Sequence, residues 1–407
     1  LDARTREKRV NQINQFIWFN LIILALTLIF SLGLAQIVVI LLGLGYAIKL
    51  VLTPEKKFHL TYLDWAVLLF FGTRLLSIFI SVDIMVSLGS LRKTPFFIIT
   101  YFVVSRQLSE EAPEVVFKLF QYLIISAIIV SIYGIAKYLL GIEARVRSTG
   151  SGYTTLAIFL SAVFAFVLGT GIYFRWLKKK VYWFGILVLI LVCLAFTFAR
   201  AQWIATFVAV LVVGFIKNKK IIPITLGLVL ILILVSPKIR DRVSTLANPL
   251  KHSSERTTIW KGAVSIFPER CWLGHGIGSF HQIFPFKDQM KDKKIGRWHN
   301  DYLQVFMESG LLGLIIFLHL IYAIFKTGMN AFKKWRMREN LLAQGMTFGI
   351  LLALLTFFIQ GFASGFLGDP ISSILFWFLV GTLRGIFHYY NVLIKKLIND
   401  FFFQSAN

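Results

Sequence analysis

The run GRWHNDYLQVFMESG at 296–310 sets His299, Asn300 and Asp301 directly ahead of an apolar stretch, LLGLIIFLHL. Histidine is the side chain whose ordinary proton affinity lies closest to neutrality, so it suits general-base work. A helix starting near Trp298 puts Asn300, Asp301, Gln304 and Glu308 on one face, within about 100° of arc. A polar stripe on an apolar span faces a bundle interior or a wet cavity. His299 then marks the outer end of that stripe. For Glu308 two roles stand side by side, an orienting group behind the site or a helix–helix hydrogen bond.

Arginines supply the second half of the chemistry. Arg200 sits between two apolar runs in FTFARAQWIATF, where facing lipid would cost several kcal/mol, so it is expected to face inward. In HSSERTTIWKGA, Ser253 or Ser254 can cap a helix that makes Arg256 and Trp260 neighbours on one face. A planar guanidinium beside an aromatic wall suits two-pronged phosphate binding. The glycines of FPERCWLGHGIGSFHQIF, Gly274, Gly276 and Gly278, read as a tight turn returning the loop to the bundle, since no strand precedes them to make a nucleotide fold. His275 and His281 lack zinc-site spacing, and Cys193 and Cys271 form no paired motif, so no metal and no disulfide is expected.

The elements that must position these groups are membrane helices. Of 407 residues 57% are hydrophobic and 15% charged, with mean hydropathy +0.75, outside the range of soluble domains. Apolar runs of roughly 17 to 25 residues recur, each long enough to span about 30 Å as a helix, and none alternates as a barrel strand does. Helices are expected at 16–32, 34–52, 64–81, 92–105, 115–140, 152–173, 181–199, 201–216, 221–236, 299–325, 341–363 and 370–392. The expected fold is an all-α polytopic bundle of about twelve spans. Residues 1–236 hold nine of them, 237–298 form one large loop domain, and 299–407 hold the last three. The basic N-terminal stretch LDARTREKR precedes an apolar run without a small-residue cleavage pattern, which reads as an uncleaved first span.

Lys and Arg set the orientation. They crowd the start of the chain and the loops after the second, fourth, sixth, eighth and tenth spans, which places both termini and those loops in the cytoplasm. The net charge of +24 is therefore a topological signature reinforced by anionic lipid, and no nucleic-acid partner is implied. Arg145, Arg147 and Arg200 break the rule by lying in short loops on the opposite face. The large loop, exempt by its length, is basic as well. Guanidinium groups gathered outside point to an anionic ligand anchored in the outer leaflet.

Four blocks carry a resemblance. HNDYLQVFMESGLLGLIIFL at 299–318 is similar to the His-Asn-x-Tyr-Leu-Gln signature of the O-antigen ligase/polymerase superfamily, membrane glycosyltransferases that use undecaprenyl-diphosphate-linked glycans. TFARAQWIA at 197–205 resembles its Thr-x-Ser-Arg-x-x-Trp block, SSERTTIWKGA its Arg-x-x-x-Trp block, and PERCWLGHGIGSF its Gly-x-Gly-x-Gly-x-Phe turn. The order of blocks agrees, and they cover the C-terminal half. Ala199 and Ala201 replace the usual Ser and Gly, and RSTGSGYTTLA at 147–157 keeps Arg-x-Thr-Gly without the Asn-Pro that often follows.

The resemblance implies a GT-C-like bundle in the bacterial inner membrane with a periplasmic active site. Its span count and single large loop look more like a ligase than a polymerase. The implied reaction moves a glycan from undecaprenyl diphosphate to a hydroxyl of the lipid A-core in lipopolysaccharide biosynthesis, inverting and without metal or other cofactor. His299 is the expected base; Arg200 and Arg256, with Arg147 as a weaker candidate, are expected to hold the diphosphate. Asn300, Tyr302, Glu308 and Trp260 are expected supporting residues. A chain polymerase or protein O-oligosaccharyltransferase of the same superfamily is the alternative. From another class, a flippase for a polyanionic lipid would use the same basic cluster, though the sequence lacks the repeated halves common in transporters. A non-catalytic scaffold docking through 237–298 would tolerate loss of His299.

Overall fold

The computed structural model describes residues 3–54, 59–173, 180–245, 255–290 and 295–404, and among them every regular element is helical. In chain order these are α1 (Ala3–Thr27), α2 (Leu32–Leu52), α3 (Tyr62–Phe79), α4 (Ile84–Leu91), α5 (Thr94–Gln107), α6 (Pro113–Leu139), α7 (Tyr153–Tyr173) and α8 (Lys180–Phe196). They continue as α9 (Arg200–Ile216), α10 (Ile221–Val235), α11 (Pro237–Ser244), α12 (Arg256–Ile266), α13 (Phe280–Ile283), α14 (Asp301–Met337), α15 (Leu341–Gln360) and α16 (Pro370–Gln404).

Each expected helical segment falls on a helix, but length divides them. Among the described residues eight are long and apolar enough to cross a membrane, namely α1, α2, α3, α6, α7, α14, α15 and α16. A ninth arises if α10 and α11, bent by 113° at their junction, count as one broken span. The apolar helices α8 and α9 are shorter, and α5 has 14 residues. Apolar composition alone does not separate such short helices from full crossings, because it records burial in protein and in lipid alike. Pro95 sits in the first turn of α5, where it is tolerated because the backbone N–H needs no helical partner.

The centre of the bundle is α7 against α15, both nearly devoid of exposed surface. Small residues let them touch: a Cβ on Gly169 would meet the Gly349 Cα at 2.7 Å. That is how helices associate when lipid offers no hydrophobic advantage and close packing must supply the attraction. Elsewhere in the bundle, Asp64 of α3 accepts from Tyr101 at 2.8 Å and pairs with Arg384 at 3.2 Å, all three fully buried.

Helix α14 is broken at Gly310 (φ 66, ψ −166), a conformation open to glycine and to little else. The break leaves backbone groups that must find partners away from water. The returning loop supplies them: His275 and Gly276 donate N–H to the carbonyls of Met307 (2.8 Å) and Glu308 (3.0 Å), while Leu311 donates to Cys271 (2.8 Å). Gly274, Gly276 and Gly278 all have positive φ, at 76°, 97° and 74°. A Cβ on Gly274 would meet the Gly310 nitrogen at 2.5 Å, so two glycines are needed for the backbones to approach. The glycine spacing is thus a turn that docks the loop on the bundle.

Candidate active site

The site is built around three helix entries. Helix α14 begins at Asp301, slightly later than the sequence pattern indicates, because the Asn300 side chain caps it by accepting from the Leu303 N–H at 3.0 Å. Trp298 and His299 therefore lie in the turn ahead of the helix. Trp298 is buried, edge-on to Phe280 with ring centres 4.9 Å apart. His299 is half-buried with φ 51. Left-handed backbone is uncommon outside glycine and asparagine. Yet Phe198, Glu255 and His299 all adopt it, just before Arg200, before Arg256 and at the expected base itself. Such conformations cost about 1–3 kcal/mol each and gather where surrounding structure enforces a functional geometry.

Arg200 and Arg256, far apart in sequence, come close enough that the charge of Arg200 bears on Arg256. Burial first, and then Arg200 and Arg242, hold the Arg256 guanidinium below its usual proton affinity, with the Tyr153 phenol acting the other way. Arg242 of α11 is lowered likewise by burial, then by Arg200 and Arg145. Arg145 lies over the Tyr153 ring at 4.9 Å. Arg200 donates from Nη1 to the carbonyl and hydroxyl of Thr245 at 3.2 and 3.0 Å, and Arg242 donates to the Phe198 carbonyl at 3.2 Å. Four guanidinium groups thus share one region, and the acidic group acting on Arg242 and Arg256 is a phenol. Arginines stay charged when half-buried, so this arrangement is made for an anion.

The other expected residues divide. Arg147 turns away from the cluster into an ion pair with Glu143 at 3.0 Å, its side chain 61% exposed. Its neighbour Arg145, on the opposite side of buried Val146, faces the cluster instead. Tyr302 donates to the Phe358 carbonyl at 3.0 Å and stacks on Phe362, fastening α14 to α15. Trp260 packs with α12 against the Trp298 cluster, its indole N–H without a hydrogen-bond partner. Glu308 accepts from the Gly278 N–H (3.0 Å) and Gln304 (3.2 Å) and pairs with Arg74 of α3 at 3.1 Å. It braces the returning loop, so neither a bond between two helices nor direct support of His299 describes it fully. The expected caps Ser253 and Ser254 lie outside the described residues.

Two sets of contacts join the His299 turn to the arginine-bearing helices. Ile259 and Ala263 of α12 share a buried cluster with Trp298, so the helix that opens with Arg256 rests on that turn. From the other side, Gln202 of α9 donates to Ser364 at 2.7 Å. The same connection between α15 and α16 holds Asp301, whose carboxylate accepts from the Phe366 and Leu367 N–H groups at 2.8 and 3.1 Å.

Sequence reasoning passed over Arg242 and Tyr153 as members of the site and named Arg147, where the structure turns Arg145 toward the cluster. Arg242 stands in a basic segment where no single arginine stands out; its signal is the pairing of Arg242 with Ile239 and Val243 on a short helix after an apolar run. Those two apolar residues line a cavity of about 240 Å³ between α8, α9 and α10, together with Trp203, Phe207 and Leu226. A second apolar cavity of about 230 Å³, sharing Leu191 and Thr225 with the first, continues along the same helices. An apolar trough therefore runs along these helices and reaches Ile239 and Val243 of α11, the helix that carries Arg242. Among the described residues no three His, Cys, Asp or Glu side chains gather as a metal site.

Residues 148–318 match the family model described as O-antigen ligase, a stretch that takes in Arg200, Arg242, Arg256 and His299 and begins just past Arg147. A protein of Rickettsia conorii (strain ATCC VR-613 / Malish 7), whose name provisionally assigns it as a polysaccharide ligase, is 32% identical over 85 residues. The matched stretch is 19% of this chain and spans 21% of that relative.

Proposed function

We propose that this chain, whose residues 148–318 belong to the O-antigen ligase family, transfers a preassembled glycan from undecaprenyl diphosphate to a hydroxyl of the lipid A-core. Catalysis takes place at the outer face of the bacterial inner membrane, with both termini in the cytoplasm and 237–298 forming a periplasmic domain. The observation that carries this reading is the cluster of Arg145, Arg200, Arg242 and Arg256, with an apolar trough reaching the helix that bears Arg242. A polyprenyl chain suits the trough and a diphosphate suits the cluster, which is the anatomy of the donor.

The chemistry follows from the division of groups. The acceptor oxygen attacks the anomeric carbon while the bond to the diphosphate oxygen breaks and its electron pair leaves with the diphosphate. His299 takes the hydroxyl proton as the new bond forms. The arginines hold the diphosphate and stabilise the charge that grows on it, a role in which each charged donor is typically worth about 10²- to 10³-fold in rate. Attack opposite the leaving group inverts the anomeric centre. A growing glycan or a protein hydroxyl would enter by the same route, so the polymerase and protein-transferase readings share this site and differ in acceptor.

The test is a reconstituted reaction in which release of undecaprenyl diphosphate and formation of glycosylated acceptor are followed together. The reading expects both, undiminished in EDTA. Movement of intact donor across the bilayer without bond cleavage would favour a flippase, and strict dependence on Mg²⁺ or Mn²⁺ would contradict the arginine clamp.

A further inference from the structure

A polar cavity of about 330 Å³ opens beside Trp298, walled by α3, α5, the returning loop and the first turns of α14. It lies within the size range of small-molecule sites. Its cations are Arg74, Lys93 and Arg297; its carboxylate is Glu308. Glu308 is already engaged by Arg74, Gly278 and Gln304. Lys93 and Arg297 remain, and burial followed by the charge of Arg297 lowers the proton affinity of Lys93, with Asp369 opposing. Gly368 lets Arg297 lie close over the backbone: a Cβ there would stand 3.3 Å from the Arg297 Cδ.

Apart from Glu308 Oε2, which Arg74 pairs, three buried polar atoms on lining side chains lack hydrogen-bond partners, namely Arg74 Nη1, Trp298 Nε1 and Gln304 Oε1. Two are donors and one an acceptor, the mixture that hydroxyl groups satisfy, since each hydroxyl both gives and accepts. Buried polar groups in native proteins are normally paired, so an unpaired set around a cavity calls for a partner from outside the chain. Aromatic rings form much of the remaining wall: Phe70, Phe97, Phe280 and Trp377 join Trp298. Flat rings of this kind offer apolar faces to the C–H side of a pyranose while leaving its hydroxyls to the polar edge.

We infer that this cavity binds an acidic sugar, a single ring carrying a phosphate or a carboxylate, with Lys93 and Arg297 on the acid group and Arg74, Gln304 and Trp298 on the hydroxyls. It shares Trp298 with the turn that carries His299. Assigning that sugar to the acceptor rests on the transferase reading; binding itself does not. A charged subsite beside the base would select acceptors that bear an acid group near the reacting hydroxyl.

The purified full-length protein in nanodiscs is titrated with glucose 6-phosphate, glucuronate, glucose and inorganic phosphate, following tryptophan fluorescence and calorimetry. Glucose 6-phosphate or glucuronate is expected to bind at least tenfold more tightly than glucose and than phosphate, the tighter of the two naming the acid group. Lys93→Gln and Arg297→Gln should each weaken that binding at least tenfold, Lys93→Arg should restore much of it, and melting temperatures should stay near that of the parent. In transfer assays Lys93→Gln should raise KM for acceptor while kcat and KM for donor hold. Equal binding of glucose and the acidic sugars, equal binding of phosphate and glucose 6-phosphate, or unaltered binding in both Gln variants would overturn the inference. Binding with no transfer would sink the transferase reading and leave the cavity assignment standing; transfer with no sugar binding would do the reverse.

Discussion

Arg242 donates its Nε–H to the carbonyl of Phe198, 3.2 Å away, and so ties α11 to the left-handed turn that launches α9. One guanidinium thereby fixes the entry of the helix that carries another. Arg242→Ala is expected to lower kcat/KM for transfer by about 10²- to 10³-fold, comparable with Arg200→Ala and Arg256→Ala. Arg242→Lys keeps a charge but not the fork and should fall between. Kinetics on the purified variants decide it: parental activity in Arg242→Ala would remove that residue from the site.

Arg242 also marks the limit of what the sequence discloses. His299, Arg200 and Arg256 were legible because each interrupts a pattern, two at the edges of apolar runs and one beside an aromatic neighbour at helical spacing. Arg242 interrupts nothing, since its segment is basic throughout. The choice of Arg145 over Arg147 depends on which way a loop turns about buried Val146, and the Glu143 partner that draws Arg147 off is nearer in sequence to Arg145. The helices themselves were readable from hydropathy, whereas the shortness of α8 and α9 was not, because both are as apolar as the long spans. Arg74 meeting Glu308 is a long-range contact that no local pattern encodes.

Gly310 supports the site from within α14. Its φ of 66° with ψ of −166° excludes side chains, and a Cβ there would stand 2.3 Å from the Trp272 carbonyl carbon. Gly310→Ala should cost at least about 1–3 kcal/mol and loosen the loop that Glu308 holds. A fall in melting temperature in detergent, together with faster proteolysis of the 271–290 loop, is the expected result. An unshifted melting curve would mean that α14 can straighten without penalty.

His275 gives the docked loop a pH dependence. Burial, then Arg270, lowers its proton affinity below the ordinary 6.5, with Glu269 opposing. Below that pH the unfolded histidine takes a proton that the folded one refuses, so the unfolded state binds more protons and stability falls as pH drops from 6.5 toward the lowered value. Melting temperature should therefore decline between about pH 7 and about pH 5, and His275→Asn should flatten the slope. An identical slope in that variant would assign the acid sensitivity to other groups.

The most direct measurement is glycan transfer by His299→Ala. The variant is purified from membranes in parental yield and supplied with undecaprenyl-diphosphate glycan and lipid A-core acceptor, and the products are read by mass spectrometry. The account predicts that the variant still binds donor through its arginines but forms no glycosylated acceptor and releases no undecaprenyl diphosphate. Transfer at the parental rate would contradict it.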